Sequence, residues 1–115
     1  MPHIAKNISS FSKSEVKQFF KSARCVLRNP GLTVLYNPST NSFGRVLVVT
    51  ARKVGTSPER NLIRRRIKAI FYENALYEKK YDVVFLIRKP AVSLSFDELK
   101  ACVLKATSNL PPLPS

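Results

Sequence analysis

Residues 45–71, RVLVVTARKVGTSPERNLIRRRIKAIF, decide the fold. Their first part, 45–51, is dense in β-branched residues, the composition of a central strand buried on both faces. Pro58 then suits a first helical turn, where its missing N–H costs nothing. Ser57 is the expected cap, and Glu59 complements the positive helix end. Gly55 is expected to supply the sharp turn between strand and helix. Helical pattern continues to about residue 76, and a second dense apolar run follows at 82–87, DVVFLI. Two such runs joined through one helix predict a parallel crossover pair.

Outward from this unit, residues 12–23 read as a helix. Ser12 and Glu15 fit a capping box, and Val16, Phe19, Phe20 and Ala23 repeat at helical spacing. Asn29-Pro30-Gly31 breaks the chain before a strand at 32–36, which Asn37-Pro38 ends. A last helix is expected at 96–107, capped by Ser95 with Glu98, its apolar stripe formed by Leu99, Cys102, Val103 and Ala106. The fold class is therefore α/β (α+β), a two-layer sandwich in the order αββ(β)αβα, with a mixed sheet covered by helices. The bracketed strand is a short one near Phe43. Residues 1–11 read as a flexible N-terminal segment, 12–107 as one folded domain, and 108–115 as a Pro-rich tail with a frayed end.

Charge narrows the function. Twenty Lys and Arg against seven Asp and Glu give a formal +13 in 115 residues, which points to a polyanionic partner. With Ile63 at 0° on a helical wheel, Ile67, Ile70, Phe71 and Asn74 cluster between about −20° and 80°, the side that docks on the sheet. Asn61, Arg64, Arg65 and Lys68 fall between about 100° and 200°, on the face turned from the core. Arg60 lies at the border, and Arg66 and Leu62 point to a third side. A merely solvated face would interleave acids at i+4, and this stripe has none. Arg52 and Lys53 extend it upstream. Guanidinium groups grip phosphate bidentately, and Asn61 offers both a donor and an acceptor.

Several classes are disfavoured. One histidine, His3, and two scattered cysteines give neither a zinc pattern nor a Ser/His/Asp or Cys/His arrangement. Cys25 and Cys102 read as buried free thiols. The acids are scattered, whereas a metal-dependent protein nuclease wants converging carboxylates. No apolar run is long enough to span a bilayer. A membrane-surface helix would need its apolar side free, and Ile63, Ile67, Ile70 and Phe71 are wanted by the strands.

The segment Arg52-Lys53-Val54-Gly55, then Arg60-Asn61, then Arg64-Arg65 and Lys68, resembles the signature of the bacterial ribonuclease P protein component. The strand RVLVV and the later Asp82…Arg88-Lys89-Pro90-Ala91 fit the same pattern, and the likeness runs from about residue 12 to 107. It implies a sandwich with a left-handed crossover, where about 98% of such connections are right-handed. It also implies a cytoplasmic bacterial protein that binds a catalytic RNA and helps it remove the 5′ leader of precursor tRNA. Magnesium ions held by the RNA subunit would carry out scission. The protein itself would supply no catalytic residue and no metal-binding side chain, and would need no obligate protein partner and no membrane. On the resemblance, Arg52, Lys53, Arg60, Asn61, Arg64, Arg65 and Lys68 face the catalytic RNA. Phe20, Tyr36, Arg88 and Lys89 are the candidates for a cleft holding the leader, although Phe20 and Tyr36 also fit plain core packing. Leu62 stands where the family has a second arginine, Val16 where it has phenylalanine, and Ala23 where glycine is common. Arg66 is a candidate to compensate for Leu62. A different basic RNA-binding module, such as a ribosomal protein, is the alternative.

Overall fold

A computed structural model describes residues 11–40 and 42–112. The first ten residues, including His3, and residues 113–115 of the tail lie outside them. The elements are α1 (Lys13–Ser22), β1 (Arg24–Arg28), β2 (Leu32–Pro38), β3 (Val46–Thr50), α2 (Ser57–Glu73), β4 (Tyr81–Ile87) and α3 (Phe96–Ser108). The order is αβββαβα. The extra strand is β1, immediately after α1, and not a segment near Phe43, which lies in the bend before β3. The four strands stand in the order β1-β2-β4-β3. β4 runs antiparallel to β2 and parallel to β3, as the crossover pattern predicts.

β2 and β4 are therefore the inner strands, and β4 is nearly all buried. β3 is an edge strand, contrary to the expectation of a central one, and it is not buried on both faces, since its Val49 is 40% exposed. On one face, Leu32 and Val34 of β2, Val46 and Val48 of β3, and Val83, Phe85 and Ile87 of β4 meet Ile63, Ile67, Ile70 and Phe71 of α2. Leu99, Val103 and Ala106 of α3 complete this core. Burying each large apolar side chain there contributes about 1.5–3 kcal/mol. Leu110 packs against the same core, and the Tyr81 hydroxyl donates to the carbonyl of Pro111 at 2.6 Å. The described start of the tail is thus docked rather than frayed.

Helix ends follow local chemistry. α1 and α3 carry the expected capping boxes, Ser12 with Glu15 and Ser95 with Glu98. The cap of α2 is Thr56, whose side chain accepts from the Glu59 N–H while Glu59 reaches back. Ser57 is the first helical residue. α2 ends at Glu73, short of residue 76, because Asn74 caps it and Ala75 turns left-handed at φ 52°. Gly55 is extended, with φ 171°, so no positive φ demands glycine there. A Cβ would instead stand 2.9 Å from the Glu59 Oε1, which makes room for that carboxylate the use of the residue. Both cysteines are free, but Cys25 is exposed, since β1 is a partly exposed edge strand, and Cys102 of α3 is half-buried.

Candidate nucleic-acid interface

Val54 is buried under the short 3₁₀ turn Arg52–Val54, and this anchor leaves Arg52 and Lys53 exposed beside the start of α2. Along α2 the apolar stripe docks as the wheel predicts, so the opposite face stands clear. Asn61, Arg64, Arg65 and Lys68 line one open groove of about 600 Å³, with Pro58 at its end and no acid among the lining residues. Arg60 lies at the border. Its Nη2 donates to the Ser57 hydroxyl at 3.0 Å, and its buried Nε has no acceptor among the described residues.

Arg64 is the most constrained of these cations. Its Nη1 donates to Asn61 Oδ1 at 2.6 Å and its Nη2 to Thr50 Oγ1 at 2.7 Å. Asn61 therefore positions a guanidinium. Thr50, the last residue of β3, is a partner that helical periodicity has no means of finding. A guanidinium has five N–H donors, so two internal bonds leave donors for phosphate. Arg66 does not join the groove; its guanidinium lies 5.9 Å over the Phe96 ring of α3, on the third side of the helix. It does not stand in for Leu62, which is 38% exposed.

The leader candidates separate. α1 crosses one end of the sheet face opposite α2 and α3. Ser22 accepts from Asn37 Nδ2 at 2.7 Å, and Glu15 pairs with Arg45 at the start of β3. Phe19 is buried, while Phe20 is 45% exposed and meets Phe19 edge to face. On the helical wheel Phe20 falls on the flank of α1 away from Ser14, Gln18 and Ser22, which line the cavity between α1 and the sheet face turned from the core. That face carries Leu35, Leu86 and the exposed Val49. Alternation along β4 puts Arg88 at its far end, on the side of Asp82, Val84 and Leu86.

Tyr36 is not in this cleft. It opposes Val83 on the core side of the sheet and meets Tyr81 edge to face, with centroids 5.4 Å apart. Register with β4 fixes that side, and the aromatic stretch alone does not show it. Lys89 starts the turn Lys89–Ser93 and lines, with Lys53, Arg88 and Pro30, a cavity of about 480 Å³ where β3 and β4 end. It therefore joins the stripe's upstream cations to the edge of the cleft. Glu59, the one acid nearby, is held below the usual carboxylate range. Its hydrogen bonds with Thr56 contribute most, and the charge of Lys89 less.

Among the described residues no group of three or more His, Cys, Asp or Glu side chains is placed to hold a metal ion. No helix there is long and apolar enough to cross a membrane.

A cationic groove on one helix and a basic turn beside it define a polyanion-binding α+β domain. Comparison with known proteins narrows this. The family profile described as Ribonuclease P matches residues 8–110. The ribonuclease P protein component of Petrotoga mobilis is 31% identical over 97 residues, covering 80% of each chain. That of Clostridium kluyveri is 34% identical over 94 residues, covering 78% of this chain and 82% of the relative. In fold, the RNase P protein from Thermotoga maritima superposes with a TM-score of 0.78 at 22% identity, over 90% of this chain and 97% of the other. The Staphylococcus aureus protein gives 0.75 at 18% identity, over 89% and 96%. The chain belongs to the ribonuclease P protein component family, the protein side of a tRNA-processing ribonucleoprotein.

Proposed function

We propose that this chain binds the catalytic RNA of ribonuclease P through the α2 groove and holds the 5′ leader of precursor tRNA on the sheet face beside α1. The observation that carries this reading is the groove of Asn61, Arg64, Arg65 and Lys68, acid-free on a helix whose other side is buried. Such a surface is stabilised when phosphates neutralise it and release counterions. Arg52, Lys53 and Arg60 extend the RNA surface. Phe20 and Arg88 suit a single strand held without sequence reading, by an aromatic platform and a cation. Lys89 continues the path from the leader to the catalytic RNA.

The chemistry falls to the RNA. Magnesium ions held by it would activate the attacking water and stabilise the leaving oxygen, while the chain's own residues orient precursor and RNA. Both act in the bacterial cytoplasm, without an obligate second protein. The test is reconstitution at low magnesium with a cognate catalytic RNA and a precursor tRNA. Chain alone should leave the precursor intact, RNA alone should cut it slowly, and the two together should release the leader efficiently. No enhancement by the chain would overturn the reading.

A further inference from the structure

The α2 groove and the leader face leave one feature unused: a buried ion network at the end of the sheet where α1 sits. Arg45, 6% exposed, stands just before β3, and Asp82, 7% exposed, lies near the start of β4. Asp82 Oδ1 accepts from the Arg45 backbone N–H at 3.0 Å and from its Nε at 3.4 Å, and Oδ2 accepts from Nη2 at 3.1 Å. The remaining arm, Nη1, reaches Glu15 Oε2 on α1 at 2.7 Å, and Phe11 lies 4.1 Å from the guanidinium. The other Glu15 oxygen is already used, accepting from the Ser12 N–H at 3.0 Å.

A buried charge pair is weak evidence for stability, since apolar residues of similar volume often do as well. What this one supplies is placement. Phe19 is the one fully buried residue of α1. The described polar ties from α1 to the sheet region are the Glu15–Arg45 pair near its start and the Ser22–Asn37 bond at its end. We propose that Arg45, locked by Asp82, is a positioning residue that sets α1 on the sheet and so fixes Phe20 relative to Arg88 for leader binding. Asp82, which anchors Arg45 under α1, and Arg88 are six residues apart along the same strand, about 20 Å, so a small tilt of α1 changes the path a strand must follow between Phe20 and Arg88. This inference rests on the leader reading above.

Removing Arg45 would strand a buried Asp82 and risk the fold, so Glu15→Gln is the better probe. Glutamine keeps the capping hydrogen bond at this position but takes the charge from the tie to Arg45. The measurement is holoenzyme affinity for precursor tRNA with its leader and for matured tRNA, at fixed salt. Expected is a fall of about threefold in the leader-dependent affinity ratio, the scale of a partly exposed ion pair. Affinity for matured tRNA and affinity for the catalytic RNA should be unchanged, and melting temperature should fall by no more than about a few degrees, the scale of one ion pair. Asn37→Ala, which cuts the tie at the other end of α1, should move the ratio the same way. Native preference kept by both variants overturns the positioning role, as does an equal loss on matured tRNA. A native holoenzyme with no preference for leader-bearing substrate instead overturns the leader reading itself, and the inference with it.

Discussion

Replacing Thr50 by valine keeps every cation of the α2 groove but removes one of the two acceptors that aim Arg64. In the native chain that guanidinium is pinned by Thr50 Oγ1 at 2.7 Å and Asn61 Oδ1 at 2.6 Å, so its ordering is complete before RNA arrives. Without Thr50, RNA binding must itself immobilise a rotamer-rich side chain. That costs about 0.5–1.5 kcal/mol, which weakens affinity about two- to twelvefold. The number of phosphates neutralised does not change, so the slope of log affinity against log salt should stay as it is. Arg64→Ala, by contrast, should lower that slope by about one unit. The assay is binding of the catalytic RNA by native, Thr50→Val and Arg64→Ala chains across a salt series. Native affinity in Thr50→Val, or a slope lowered as far as by Arg64→Ala, would refute the positioning argument.

Gly44→Ala should destabilise the domain by about 3 kcal/mol or more, above the usual overpacking range of 1–3. A Cβ there would stand 2.2 Å from the Tyr81 carbonyl oxygen, and urea unfolding measures the loss. Acid should weaken the fold through its capping boxes. Hydrogen bonds with Thr56 hold Glu59, and those with Ser95 hold Glu98, below the ordinary carboxylate value of 4.5. A lowered folded pKa means the stabilisation is full above that value and lost as pH falls through the folded one. Glu59→Gln with Glu98→Gln should therefore flatten the decline in melting temperature below about pH 4.5. Phe20→Ala should reduce affinity for leader-bearing precursor by about fivefold or more, the low end of base stacking. Tyr36→Phe, on the other sheet face, should leave that affinity unchanged in the same titration.

Much of the fold is legible in residues 45–71 because helical periodicity and a dense β-branched run are local signals. The docking side of α2 and its cationic face follow from spacing alone, and the groove's four lining polar residues confirm it. Strand order is a different matter. Val46–Thr50 has the composition of a central strand, but whether a neighbour lies on each side depends on where the rest of the sheet pairs, and β3 has β4 alone. β1 escapes notice because it follows α1 with a single residue between, and both of its ends are arginine. Thr56 is passed over for Ser57 although Thr56-x-x-Glu59 is itself a capping-box spacing; Pro58 draws attention one residue too far. Tyr36 is assigned to the wrong face because alternation needs the register with β4 before its sign is known. The Arg45–Asp82 pair and the Thr50–Arg64 bond join residues 37 and 14 positions apart, and tertiary contacts of that kind leave no periodic trace.

Whether the cations of α2 hold the catalytic RNA is tested most directly by precursor-tRNA cleavage at low magnesium. A cognate catalytic RNA is paired with either the native chain or one carrying Arg60→Ala, Arg64→Ala and Arg65→Ala. All three residues lie outside the buried stripe, so the variant should fold, which circular dichroism verifies. The native chain should accelerate leader removal and the triple variant should not, with activity returning as magnesium is raised and the RNA needs less help. Equal acceleration by the two chains would contradict the account and place the RNA on another surface.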